Sequence, residues 1–74
     1  MNSQKKKAYI VTLKFGAMQK RVWFQGEDSA EVQQRFNVAR RELDAVGETC
    51  NSWDQFFSRA VDHFHNYGFV RIQK

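Results

Sequence analysis

The sequence predicts an α+β fold of order β-β-α-α-β: a three-stranded, mainly antiparallel sheet with two helices packed on one face. Three observations carry this. Residues 8–25 alternate apolar and polar on either side of a Gly16-Ala17 pair. Two later stretches place apolar residues at spacings of three and four, and residues 69–73 alternate again. Alternation marks strands and the three-four spacing marks helices. Two amphipathic helices need an apolar surface to cover, and a small sheet offers one.

The hairpin comes first. In Ala8 to Phe15, Tyr9, Val11, Leu13 and Phe15 share one face; in Met18 to Gln25, Met18, Val22 and Phe24 do. Gly16-Ala17 fits a two-residue type II′ turn, which wants glycine first. That turn sets Phe15 opposite Met18, Val11 opposite Val22 and Tyr9 opposite Phe24. A slip of one residue would destroy every apolar match, so turn and pattern support each other. Only Leu13, opposite Lys20, breaks the series.

Gly26 is expected to end the second strand. Asp28 then reads as an N-cap with Glu31 three residues on, a variant of the capping box. Val32, Phe36, Ala39, Leu43 and Val46 form one helical stripe. Glu31 and Arg35 make a favourable pair four residues apart. Gly47 suits the position just past the helix end, so the first helix is expected over residues 29–46. Ser52 and Gln55 form a second capping box. Trp53, Phe56, Phe57, Ala60, Val61 and Phe64 follow as the strongest amphipathic pattern in the chain, with Gly68 as its stop. The second helix is expected over residues 53–66. His63 and His65 fall in its last turn, where they suit the helix dipole. Residues 69–73 form the third strand, expected antiparallel to the second because antiparallel pairs dominate small sheets.

Seventy-four residues make one domain, small enough to bury only about 60% of its unfolded surface. Residues 1–7 read as a basic flexible tail ahead of a domain spanning 8–74. No apolar run approaches a membrane span, and Lys5-Lys6-Lys7 lead into a strand rather than an apolar leader core. A single cysteine, Cys50, fits a reducing, cytoplasmic setting. Residues 1–25 hold six basic residues and no acid, whereas residues 26–74 hold six basic and eight acidic ones. This asymmetry points to an anionic partner, or to lysines protecting a strand edge.

With Tyr9, Val11, Val22 and Phe24 turned to the helices, the opposite face stays open. The same register puts Ile10 opposite Trp23, Thr12 opposite Arg21 and Lys14 opposite Gln19. If Val70 and Ile72 point inward, Phe69 and Arg71 join this open face. Trp23, Phe69 and Ile10 among Lys14, Arg21 and Arg71, with Lys5, Lys6 and Lys7 entering beside them, form the candidate binding surface. An exposed Trp–Ile pair beside arginine has the composition of an interface hot spot. The expected function is therefore a small non-catalytic interaction or regulatory module, adaptor- or inhibitor-like, centred on Trp23. A homodimer through the sheet, and strand addition at an open edge, belong to the same reading. The alternative is a single-stranded nucleic-acid binder that stacks bases on the aromatics and holds phosphates with the cations. The element order is not that of the RRM, and no RNP-like motif occurs.

No catalytic or metal constellation is expected. His63 and His65 are two apart on a helix and diverge too far to share a metal. Cys50 lacks any assembled partner for nucleophilic chemistry. The carboxylates are scattered, Gly16 and Gly26 serve turns rather than a phosphate loop, and so short a chain leaves little room for a substrate pocket. Arg35, Arg40 and Arg41 sit close to Glu42 and Asp44 and read as a solvated helix face. No cofactor is implied.

Overall fold

A computed structural model describes residues 5–73. It contains β1 (Lys6–Phe15), β2 (Met18–Glu27), α1 (Ala30–Arg41), α2 (Leu43–Glu48), α3 (Trp53–Asn66) and β3 (Val70–Ile72). The strands form one antiparallel sheet of order β1-β2-β3. The hairpin register runs unbroken from Lys6 opposite Glu27 to Phe15 opposite Met18, as the turn requires. Gly16 has φ +60°, and among the described residues none other than glycine has positive φ. That fits the II′ turn and excludes I′, which needs positive φ at both central residues.

Tyr9, Val11, Leu13, Val22 and Phe24 are buried under the helices, as the alternation predicts. Val32, Phe36, Ala39 and Leu43 meet them from α1 and α2, and Phe56, Ala60 and Phe64 from α3. The centre is aromatic. Phe64 lies 4.7 Å from Phe24 and 5.1 Å from Phe36, ring centre to ring centre. Tyr9 lies 5.1 Å from Phe36 and 5.3 Å from Phe69. Such tilted and edge-on pairs add to the burial energy of the rings. Met18, at the turn, extends past the helices and is half exposed at 50%.

Several expectations are corrected. β1 begins at Lys6, so Lys6 and Lys7 belong to the sheet rather than to a leading tail; residues 1–4 of that tail lie outside the described residues. Gly26 lies inside β2. A Cβ there would stand 2.8 Å from the Phe69 ring and 3.3 Å from Tyr9, so glycine admits the close approach of two rings. The first N-cap is Ser29, whose hydroxyl accepts the Val32 N–H at 3.2 Å.

The first helix is broken at Glu42 into α1 and α2. The Ala39 carbonyl accepts the Glu42 N–H at 3.2 Å and also lies 2.9 Å from His63 Nε2. A carbonyl accepts, so this nitrogen carries the proton. The Glu42 N–H is shared between the Ala39 and Val38 carbonyls, the latter at 3.3 Å, and a side chain that bonds a carbonyl of the helical ladder is a recognised cause of such an irregularity. Gly47 therefore lies within α2 rather than past a helix end. Its bare Cα faces Phe56, whose ring would be 3.3 Å from a Cβ.

At the other end of α3 the expectation holds. Ser52 caps it by accepting the Gln55 N–H, while Gln55 Oε1 reaches back to the Asn51 N–H at 2.7 Å. Gly68, at φ +95°, ends it. The Gly68 N–H bonds the His65 carbonyl and the Phe69 N–H bonds the Phe64 carbonyl. This is a Schellman motif, and it drops Phe69 into the core, where it is 1% exposed.

The third strand therefore faces opposite to expectation. Val70 pairs with Gln25, Arg71 with Phe24 and Ile72 with Trp23. Paired residues share a face, so Val70 and Ile72 join Gln25 and Trp23 on the open side. Arg71 turns to the helix side, its guanidinium 5.0 Å from the Phe57 ring centre.

Candidate functional site

The helices leave one sheet face uncovered, and its composition follows from the register. Lys6 stands beside Glu27 at one end. Ala8, Gln25 and Val70 form the next row, then Ile10, Trp23 and Ile72, then Thr12 with Arg21, and finally Lys14 with Gln19. The Ile10–Trp23–Ile72 row is an apolar band, and in the row beside it Ala8 and Val70 flank the exposed Gln25. Ile10 is 41% exposed and Val70 60%; Trp23 and Ile72 are half-buried and Ala8 is exposed. Trp23 is central, with one aliphatic side chain on each neighbouring strand. Lys14 and Arg21, both exposed, close the band at the hairpin end.

Of the predicted site residues, the structure brings Trp23, Ile10, Arg21, Lys14 and Lys6 together on this face. Lys5 is exposed just ahead of the strand, its carbonyl accepting the Asp28 N–H at 2.9 Å. Lys7 turns to the helix side, where its Nζ donates to Gln33 Oε1 at 3.2 Å and lies 5.2 Å from the Tyr9 ring centre. Phe69 and Arg71 leave the face altogether, for the reason given by the Schellman turn. Ala8, Val70 and Ile72 take their place. The signal that could have found Val70 and Ile72 is Gly68: a left-handed glycine followed at once by Phe marks that Phe as the residue that packs back on its own helix.

Beneath the sheet edge, Lys20 and Arg71 both lie over Phe57, at 5.4 Å and 5.0 Å from its ring centre. Arg71 Nε is buried without a hydrogen-bond partner. Of the cations on β2 and β3, Arg21 therefore borders the apolar band, while Lys20 and Arg71 lie on the helix side.

The titratable clusters elsewhere are bound up in holding the fold. His63 Nε2 serves the Ala39 carbonyl and lies 3.4 Å from Glu42 Oε1, which also accepts the Tyr67 hydroxyl at 2.8 Å. That hydrogen bond to Glu42 is the main cause holding the Tyr67 phenol above its usual pKa, with desolvation adding to it. Tyr9 is raised chiefly by burial and then by the Asp28 charge; its hydroxyl donates to the Glu27 carbonyl at 2.7 Å. The Cys50 thiol is buried 3.3 Å from the Val46 carbonyl at the end of α2. Among the described residues, no three His, Cys, Asp or Glu side chains group as metal ligands. No helix among them is long and apolar enough to cross a membrane.

Comparison with protein-family models, curated proteins and solved structures finds no match. The functional reading therefore rests on the geometry of the open face.

Proposed function

We propose that this chain is a small, non-catalytic protein-binding module that docks through the open sheet face, with Trp23 as its anchor. The observation that carries the reading is the row Ile10–Trp23–Ile72, bordered by Ala8 and Val70 on a face the helices leave uncovered. A large aromatic flanked across the strands by two isoleucines, with arginine beside it, is a composition on which interface energy concentrates. A band of this kind favours a protein surface over single-stranded nucleic acid. Base stacking needs several exposed rings, and Phe69 lies in the core while Arg71 lies on the helix side. The cations at the rim support a partner whose apolar patch is bordered by carboxylates. The same charge disfavours a face-to-face homodimer, which would set Lys14 and Arg21 of two copies over one another. The lone buried thiol supports a reducing, cytoplasmic setting.

The test is a photo-crosslinking residue placed in cells at Ile10 and, as a control, at Gln34 on the solvent side of α1. Adducts of one discrete protein mass are expected from position 10 only, and are lost when Trp23 is also changed to Ala. Trp23→Ala alone should keep the wild-type circular dichroism spectrum. Identical adducts from both positions would sink the reading. So would salt-sensitive binding of labelled single-stranded RNA or DNA that quenches Trp23 fluorescence.

A further inference from the structure

The free edge of β1 borders the open face and offers a different kind of contact, through the backbone. A two-residue turn makes its flanking pair, Phe15 and Met18, a mutually hydrogen-bonded pair, and such pairs alternate along an antiparallel ladder. Tyr9, Val11 and Leu13 therefore direct their backbone groups to β2. The Lys5 carbonyl, bonded to the Asp28 N–H, fits the same odd-numbered alternation. Lys6, Ala8, Ile10, Thr12 and Lys14 direct theirs the other way, off the sheet. Strand order β1-β2-β3 leaves no strand on that side. Among the described residues, the N–H and C=O groups of Ala8, Ile10, Thr12 and Lys14 meet no loop or helix backbone. The register has no bulge, and the chain has no proline to blunt the edge.

A groove of about 470 Å³ runs alongside. Thr12 and Lys14 line it from β1, and its other lining residues include Arg40, Leu43, Asp44, Glu48 and Phe56. A strand laid on the edge would send alternate side chains into this groove and the others onto the open face, where they would extend the Ala8–Ile10 band. The groove wall carries both signs of charge and suits uncharged side chains. On the open face the edge strand itself carries a lysine at each end, Lys6, with Glu27 on the neighbouring strand, and Lys14; they are eight residues apart, or about 27 Å at strand spacing.

We infer that β1 accepts an extended segment of a partner protein by strand addition, and that the segment is apolar in the middle with carboxylates at the two ends of its open-face row. Charge selects this occupant over a second copy. Lys5, Lys6, Lys7 and Lys14, with no acid between them, would set like charges together in an edge-to-edge dimer. Edge lysines are a common means of preventing such pairing. Main-chain hydrogen bonds supply affinity in this mode, and alternate side chains supply specificity.

The probe is the nonapeptide acetyl-Glu-Thr-Val-Thr-Val-Thr-Val-Thr-Glu-amide, whose palindromic sequence meets Lys6 and Lys14 in either strand direction. In the free chain, the amides of Ala8, Ile10, Thr12 and Lys14 should exchange with solvent fast and those of Tyr9, Val11 and Leu13 slowly. With the peptide added, NMR should show the first set shifted and protected. Thr12→Pro removes one outward N–H and no internal bond, as proline at a sheet edge allows. It should keep the native spectrum and bind about tenfold or more weakly. Lys6→Glu/Lys14→Glu should weaken the peptide by a similar factor, about tenfold. Trp23→Ala should leave this binding in place, so loss of the face reading and loss of the edge reading are separable. Absence of binding, equal binding by Thr12→Pro, or a wild-type dimer that Thr12→Pro abolishes would each overturn the proposal.

Discussion

Gly26 shows how much one missing side chain can decide. It lies on the core side of β2, where the Phe69 ring occupies the space a Cβ would need, 2.8 Å away. Neither the ring nor the strand backbone can yield without loosening β3. Gly26→Ala should therefore destabilise the domain by about 1–3 kcal/mol, the range for overpacking a filled core. A thermal melt checks this, and a neutral or raised Tm would show that Phe69 has room to move. Tyr9 carries a pH dependence at the same scale. Burial and Asp28 hold its phenol protonated above the usual value, so the folded chain keeps a proton that the unfolded chain gives up near pH 10. The stabilisation is complete below pH 10 and falls as pH rises through the raised value. Tyr9→Phe loses the bond to the Glu27 carbonyl and should cost about 1 kcal/mol at neutral pH. Its stability should then decline less steeply than wild type above pH 10, as urea melts at stepped pH would reveal. An unchanged alkaline slope would rule out Tyr9 as a source.

Among the elements, the hairpin and α3 were legible because each carries redundant signals. In the hairpin the turn and the alternation specify the same register. In α3, Ser52, Gln55, Gly68 and the aromatic stripe all agree on the ends. The break between α1 and α2 was not legible, because its cause lies in another helix. Val32, Phe36, Ala39 and Leu43 keep the helical spacing through it, while His63 takes the Ala39 carbonyl from a distance of 24 residues in the chain. Substituting His63 with Ala frees that carbonyl and should cost about 1 kcal/mol. Relaxation of the kink should also shift the backbone resonances of residues 39–43 toward regular helix. Shifts confined to α3 would assign the break to some other cause. The third strand lies where expected, antiparallel to β2, but faces the other way for a related reason. Its alternation was read correctly, but alternation alone does not say which face is inward; pairing to Trp23 and Gln25 decides that.

Across the whole molecule, the sequence places the hairpin residues of the open face and misplaces those of the third strand. Trp23, Ile10, Arg21 and Lys14 follow from the hairpin register, which local rules determine. Phe69 and Arg71 depended on β3, whose orientation is settled by a helix cap and by a glycine some forty residues earlier in the chain. The error also changed the chemistry. Two aliphatic residues, Val70 and Ile72, stand on the open face where an aromatic and a cation were expected, which supports the protein-binding reading already preferred to the nucleic-acid alternative.

The pegging of Phe69 against Gly26 has a consequence for how the chain is made. The hairpin leaves the ribosome first, and β3 cannot join it until α3 and the Gly68 turn exist. Contacts between distant parts of a chain form late because loop closure costs entropy. For that interval the hairpin is a two-stranded ribbon with both edges bare and the Tyr9–Phe24 face uncovered. Its lysines, Lys6, Lys7 and Lys14 on β1 and Lys20 on β2, are well placed to keep one nascent ribbon from pairing with the next.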